Sequence, residues 1–260
     1  QISKRGAVSR KKSLAIRLAA IVIAIIVCAV ITMVTTGTDP FAVFSAFING
    51  SFGTERKLWI FLQNTAILLI ISLAVTPAFK MHCWNLGAEG QVLAAMAAAA
   101  CMVLLGDKVS SNVIILCMIV SAIAAGALWA GIPAFFKAKF NTNETLFTLM
   151  MNYVATQIVA YFSVVWENPK GSGNIGVINP NTKIGWFPDL FGSKYALNIL
   201  IVALLTIGLY IYLNYSKHGY EISVVGESER TARYVGIKVE KVIIRTMLIS
   251  GAICGLAGLL

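Results

Sequence analysis

The feature that most constrains this chain is a series of long, uninterrupted apolar runs, each separated from the next by a short charged or Gly/Asn/Pro-rich stretch. A hydrocarbon core of about 30 Å is crossed by about 20 apolar residues of helix, and only helices or closed barrels satisfy their backbone polar groups there. The runs are continuous rather than alternating, which argues against a barrel. The residues are 58% hydrophobic and 12% charged, where soluble domains carry roughly 25% charge. The excess apolar surface has to face lipid. The expected fold is therefore all-α: a polytopic integral membrane helical bundle, a single transmembrane domain over residues 1–260.

About seven spans are expected, over residues 18–34, 58–78, 91–105, 113–136, 146–165 and 195–215, with the last starting near Val242 and still apolar at Leu260. Because the last run is still apolar at Leu260 and the chain opens on Gln1 rather than Met, it reads as a C-terminally incomplete portion of a longer protein, with further helices expected after Leu260. Basic residues set the orientation. With the N-terminus in the cytoplasm, the inside segments hold Lys4, Arg5, Arg10, Lys11, Lys12, Arg17, Lys80, Lys137, Lys139, Lys217, Arg230, Arg233, Lys238, Lys241 and Arg245, fifteen of the 21 Lys and Arg. Arg56, Lys57, Lys108, Lys170, Lys183 and Lys194 fall outside. This bias makes residues 1–17 a basic cytoplasmic N-terminal segment, 166–194 an external loop and 216–241 a cytoplasmic segment. The formal charge of +10 is then that of a cytoplasmic face attracted to anionic lipid, and no nucleic-acid partner is needed.

The five cysteines do not fall at metal-site spacing; Cys28, Cys101, Cys117 and Cys254 lie inside apolar runs and Cys83 at a run's edge. Buried free thiols act as small hydrophobes. No metal site is expected.

Three stretches stand out. Residues 79–91, FKMHCWNLGAEGQ, set Glu89 and Gln91 against a short third run, with Gly87 and Gly90 loosening the backbone. Short, Gly-interrupted spans point to a binding site inside a transporter. Two readings of Glu89 stand: a carboxylate lining a pathway, or one that complements the next helix's N-terminus. In the fifth run, Thr145, Thr148, Asn152 and Thr156 share one helix face, and Tyr153, Gln157 and Tyr161 form an adjacent stripe. Two polar stripes side by side are wider than a hydrogen-bonded helix seam needs, so a water-filled cavity wall is expected. The third stretch, residues 216–241, carries Glu227, Glu229, Arg230, Arg233 and Tyr234 on a short helix, bracketed by Gly226 and Gly236 as stop positions. Such a helix lies on the bilayer or docks into a partner's groove.

These stretches resemble the permease subunits of nucleoside and simple-sugar ABC importers. NLGAEGQ at residues 85–91 is similar to that family's NIGAEGQ, and NETLFTLMMNYVA at 143–155 to its N-E-V-I-x-T-L-M-L-N-Y-I-A. GYEISVVGESERTARYVGI at 219–237 resembles its coupling segment, and SGAICGLAGLL at 250–260 the S-G-x-x-A-G-L-A-G that follows. The chain departs from the pattern at Ser223-Val224, where Arg-Ala is usual, and at Ser228-Glu229, where Asn-Pro is.

The resemblance implies a multi-pass subunit of a bacterial cell membrane that forms half of a translocation pathway and works by alternating access. It implies a second permease subunit (homo- or heterodimer), cytoplasmic ABC ATPase subunits docking on Gly226, Glu227, Arg230, Ala232, Arg233, Tyr234 and Gly236, and an extracytoplasmic substrate-binding protein. The long external loop, with Trp186 and Phe187 near its end, reads either as a solvated flexible loop or as a landing surface for that protein. No G-x-x-x-x-G-K-[ST] occurs in the chain. It is accordingly read as no enzyme and as binding no cofactor itself, with ATP and Mg on the ATPase. The expected path residues are Trp84, Asn85, Glu89, Gln91, Asn152, Thr156 and Gln157. An uncharged, hydrogen-bonding ligand such as a nucleoside suits amides and Tyr, and Trp84 reads either as a stacking partner for a base or as an interfacial anchor. The alternatives are a simple-sugar permease of the ribose or galactose type, an ion-coupled secondary carrier relaying through Glu89, and a scaffold in which Gly251-x-x-x-Gly255 is only a packing seam.

Overall fold

The computed structural model describes residues 9–105, 109–173, 175–180, 182–190 and 192–260. The expected inside charges Lys4 and Arg5 and the outside Lys108 lie beyond the described residues. All regular structure among the described residues is helical: α1 (Arg10–Thr36), α2 (Pro40–Phe52), α3 (Glu55–Lys80), α4 (Ala88–Leu105), α5 (Ser111–Phe140), α6 (Glu144–Val165), α7 (Ala196–Tyr215), α8 (Lys217–Glu227), α9 (Glu229–Tyr234) and α10 (Val239–Leu259). Six of these are long and apolar enough to cross a membrane, namely α1, α3, α5, α6, α7 and α10, while α2 and α4 are shorter apolar helices. The third expected run is thus short, as its sequence indicates.

The chain divides into two compact units, one ending at Phe61 and the other Leu62–Leu260. In the first, α1 closes on Gly37 in the left-handed region (φ 65°), whose N–H donates to the Met33 carbonyl. Helix α2 then starts at once: Asp39 accepts from the Phe41 N–H, and Pro40 occupies the first turn, where its missing N–H costs nothing. This segment falls between the expected spans at 18–34 and 58–78. Its Asp-Pro signature was the available start signal.

In the second unit the tightest contact is between α5 and α10. Ala122, Gly126 and Ala130 on α5 meet Gly251 and Gly255 on α10, and a Cβ on Gly126 or Gly251 would run into the other residue's carbonyl oxygen. The contacts move in opposite senses along the two helices, so α5 and α10 are antiparallel. Small residues at four-residue spacing let the backbones touch, which is how helices associate when lipid is as apolar as they are. Gly258 extends the seam to Val92 of α4. As a result α10 is the most enclosed spanning helix, with 56% of its apolar window buried against 28% or less for the others.

Gly251→Leu is expected to lower the thermal midpoint of the detergent-solubilised protein clearly, since overpacking costs ~1–3 kcal/mol or more. Gly50→Ala, at a site where a Cβ meets no atom within 4 Å, serves as the control and leaves it nearly unchanged.

Candidate functional site

Leaving α3 at Lys80, the chain does not turn back at the end of the bundle. His82 takes a left-handed conformation (φ 57°), and residues 81–87 continue without helix until α4 begins at Ala88. Two contacts fix how far inward they reach. The Asn85 amide donates to the Ser250 hydroxyl at 3.0 Å, near the middle of α10. The Gly90 N–H donates to Asn152 at 2.9 Å, about 12 Å along α6 at 1.5 Å per residue. Helix α4 therefore starts inside the bundle.

A helix start exposes unpaired N–H groups, and at membrane depth these must be satisfied by protein. Two asparagines do so for Gly87 and Gly90. The Asn85 carbonyl accepts from the Gly87 N–H at 3.1 Å and from the Gln91 side-chain amide at 3.1 Å. Asn152 accepts from Gly90 and donates to the Leu86 carbonyl at 2.9 Å. Asn85 and Gln91 are 1% exposed and Asn152 8%. The glycines act differently from the expectation. Neither Gly87 nor Gly90 has a positive φ; they permit close approach, since a Cβ on Gly87 would press on Thr148, and one on Gly90 on Asn152 and Trp129.

The fifth-run stripes separate in the same way. Thr148 and Asn152 are buried, turned toward Gly87 and Gly90, so their face is a helix seam and not the expected cavity wall. The Thr156 hydroxyl donates back to the Asn152 carbonyl at 2.9 Å. The neighbouring stripe is open: Tyr153, Gln157 and Tyr161 lie exposed on the outer face of α6, among Val154 and Ile158. Glu89 sits in the first turn of α4 with its side chain exposed, a position that favours the helix dipole. Trp84 is exposed and meets Phe79 edge-on at 5.6 Å. Thus Asn85, Gln91 and Asn152 come together in one buried network, while Trp84, Glu89, Thr156 and Gln157 lie on exposed surface. Ser250 and Trp129 belong to the network's surroundings and were missed. Ser250 opens the SGAICGLAGLL string, which was its one signal.

The segment at the Lys80 end forms two helices. Gly226 lies inside α8, not at a stop, and is buried where a Cβ would strike the Lys80 carbonyl. Ser228 then caps α9, accepting from the Thr231 N–H at 3.3 Å. Gly236, with φ 83°, ends the stretch as its sequence indicates. Ala232 is buried, whereas Glu227, Arg230, Arg233 and Tyr234 are exposed, Tyr234 at 97%. The Arg233–Glu240 pair (3.3 Å) is solvent-exposed and contributes little. Lys137 and Glu144 pair at 2.9 Å across the α5–α6 turn, and Arg245 of α10 holds Glu221 of α8 at 2.9 Å.

Residues 58–260 match the family described as branched-chain amino acid transport system / permease component. The chain belongs to this family. It is 31% identical to a guanosine ABC transporter permease protein of Bacillus subtilis, over 96% of this chain and 72% of the relative. It is 24% identical to a nucleoside ABC transporter permease protein of Lactococcus lactis subsp. cremoris, over 96% of this chain and 71% of the relative. A glucose ABC transporter permease protein of Haloferax volcanii is 25% identical over 88% of this chain, which spans less than two thirds of that relative (63%). No solved structure matches the chain. The chain is thus a multi-pass permease subunit of an ABC transport system, and the family match covers α4, α6 and the α8–α9 segment.

Asn152→Leu leaves the Gly90 N–H and the Leu86 carbonyl unpaired inside the bundle, at about 1–3 kcal/mol for each group. In reversible unfolding in mixed detergent micelles this permease variant is expected to lose stability of that order, whereas Gln157→Leu on the exposed stripe loses little.

Proposed function

We propose that the chain forms half of the translocation pathway of an ATP-driven importer for nucleosides. The observation that carries this reading is the mid-bundle start of α4, held by the buried Asn85, Gln91 and Asn152, with Trp84 and Glu89 exposed beside it and Thr156 and Gln157 exposed on α6. Those three buried residues act from behind rather than touching the ligand. Tyr153, Gln157 and Tyr161 offer ring faces and an amide, groups that suit an uncharged base and ribose. The relatives whose names specify guanosine and nucleosides support this substrate class over sugars.

The exposed side chains of α9 supply the dock for a cytoplasmic ATPase, with Arg230, Arg233 and Tyr234 as anchors and Gly226, Glu227, Ala232 and Gly236 shaping the two helices. A second permease subunit completes the pathway and an extracytoplasmic binding protein delivers the substrate, with ATP and Mg held by the ATPase. ATP-driven closure of the ATPase pair moves α8 and α9, and the spans joined to them exchange inward- and outward-open states. The ligand influences that exchange only through different affinity for the two states.

Uptake of radiolabelled nucleosides and sugars into vesicles holding the full permease, its ATPase and its binding protein tests this. ATP-dependent nucleoside uptake is expected, lost in Arg233→Glu despite normal insertion. Gln157→Ala is expected to raise KM about 3- to 10-fold, the loss of one net hydrogen bond. Uptake driven by an ion gradient and indifferent to ATP would replace this reading with a secondary carrier. ATP-dependent uptake of sugars alone would move the substrate class.

A further inference from the structure

The face of α10 turned to α7 and α8 changes character along its length. Lys238, Lys241 and Arg245 are followed at the same three- to four-residue spacing by Ile249, Ile253 and Leu256, so all lie on one stripe. Against the apolar half, α7 contributes Ile201, Leu205, Gly208 and Tyr212, leaving a groove of about 410 Å³. Against the basic half, α8 contributes Lys217 and Glu221, leaving a second groove of about 380 Å³. Tyr212 and Arg245 lie side by side where the two grooves meet. The mouth is therefore lined by four cations and one carboxylate, Glu221. That carboxylate is already engaged by Arg245 Nη2 at 2.9 Å, while the Arg245 Nε–H is buried without a partner.

From this we infer that the α7–α10 groove is a binding site for an anionic phospholipid of the leaflet at the α8 end, its phosphate held by Lys217, Lys238, Lys241 and Arg245 and one acyl chain lying along Ile249, Ile253 and Leu256. Charge complementarity selects the occupant: a zwitterionic lipid leaves the surplus of positive charge unmatched, and a soluble anion makes no use of the apolar half. Basic pockets between spanning helices recognise anionic headgroups on this principle. The site is separate from the exposed α4–α6 surface and does not depend on the substrate proposed above.

The test uses the full permease complex in neutral detergent, with lipid binding followed by native mass spectrometry and by thermal midpoint. Phosphatidylglycerol is expected to stay bound and raise the midpoint, with phosphatidylcholine and inorganic phosphate each much weaker. The double variant Lys238→Gln/Lys241→Gln should weaken phosphatidylglycerol binding roughly 30-fold, two surface cations' worth. Gly208→Leu fills the apolar half instead. A Cβ there meets no atom within 4 Å, so the variant is expected to fold and to lose the lipid. Four results would overturn the inference: equal retention of both lipids, full retention in both variants, exclusion of every lipid, or inorganic phosphate reproducing the whole shift with Gly208→Leu inert. The last would mark a free-anion site, and exclusion of every lipid would mark a groove filled by a protein segment.

Discussion

Everything distinctive in the larger unit depends on the hydrogen bonds that Asn85 and Asn152 make to backbone. A peptide group left unpaired in a dry interior costs several kcal/mol, so a chain crossing a membrane ordinarily delays any break in its helices until water is available. Here the break lies inside the bundle, because two side-chain amides replace the missing helical partners: Asn85 for Gly87, Asn152 for both Gly90 and Leu86. Removing Asn152 would leave the Gly90 N–H and the Leu86 carbonyl unpaired and weaken the interior start of α4.

Helix α10 is the other fixed point. Its glycines admit α5 and α4 to van der Waals contact, its Ser250 anchors Asn85, and its Arg245 ties down α8 through Glu221. The buried network and the α8–α9 segment, far apart in sequence, are thus both fastened to the same helix.

Much of this was legible before any coordinates, for identifiable reasons. Long apolar runs are a strong signal because bilayer thickness imposes their length, so α1, α3, α5, α6, α7 and α10 fall where the runs lie. Helix α2 escaped because thirteen residues between Asp39 and Gly53 make a weak pattern. The residues of the α4 entrance stand out in the sequence, but their roles are not readable there: a polar stripe on a helix looks the same whether it faces water or another backbone. Thr148 and Asn152 face backbone, Tyr153 and Gln157 do not, and only the position of Gly87 and Gly90 separates the two cases. Gly226 was misread for a similar reason. Sequence shows a glycine near a helix end, not the carbonyl pressed against it.

That contact between Gly226 and the Lys80 carbonyl bears on mechanics. Two backbones that touch without a side chain between them have no compressible layer and no rotamer to absorb a displacement. A load applied at α9 passes through α8 to the last turn of α3 with almost no play, and residues 81–87 hang directly from that turn. A shift of α8 toward α3 is thus met by backbone, not by a side chain that can turn aside.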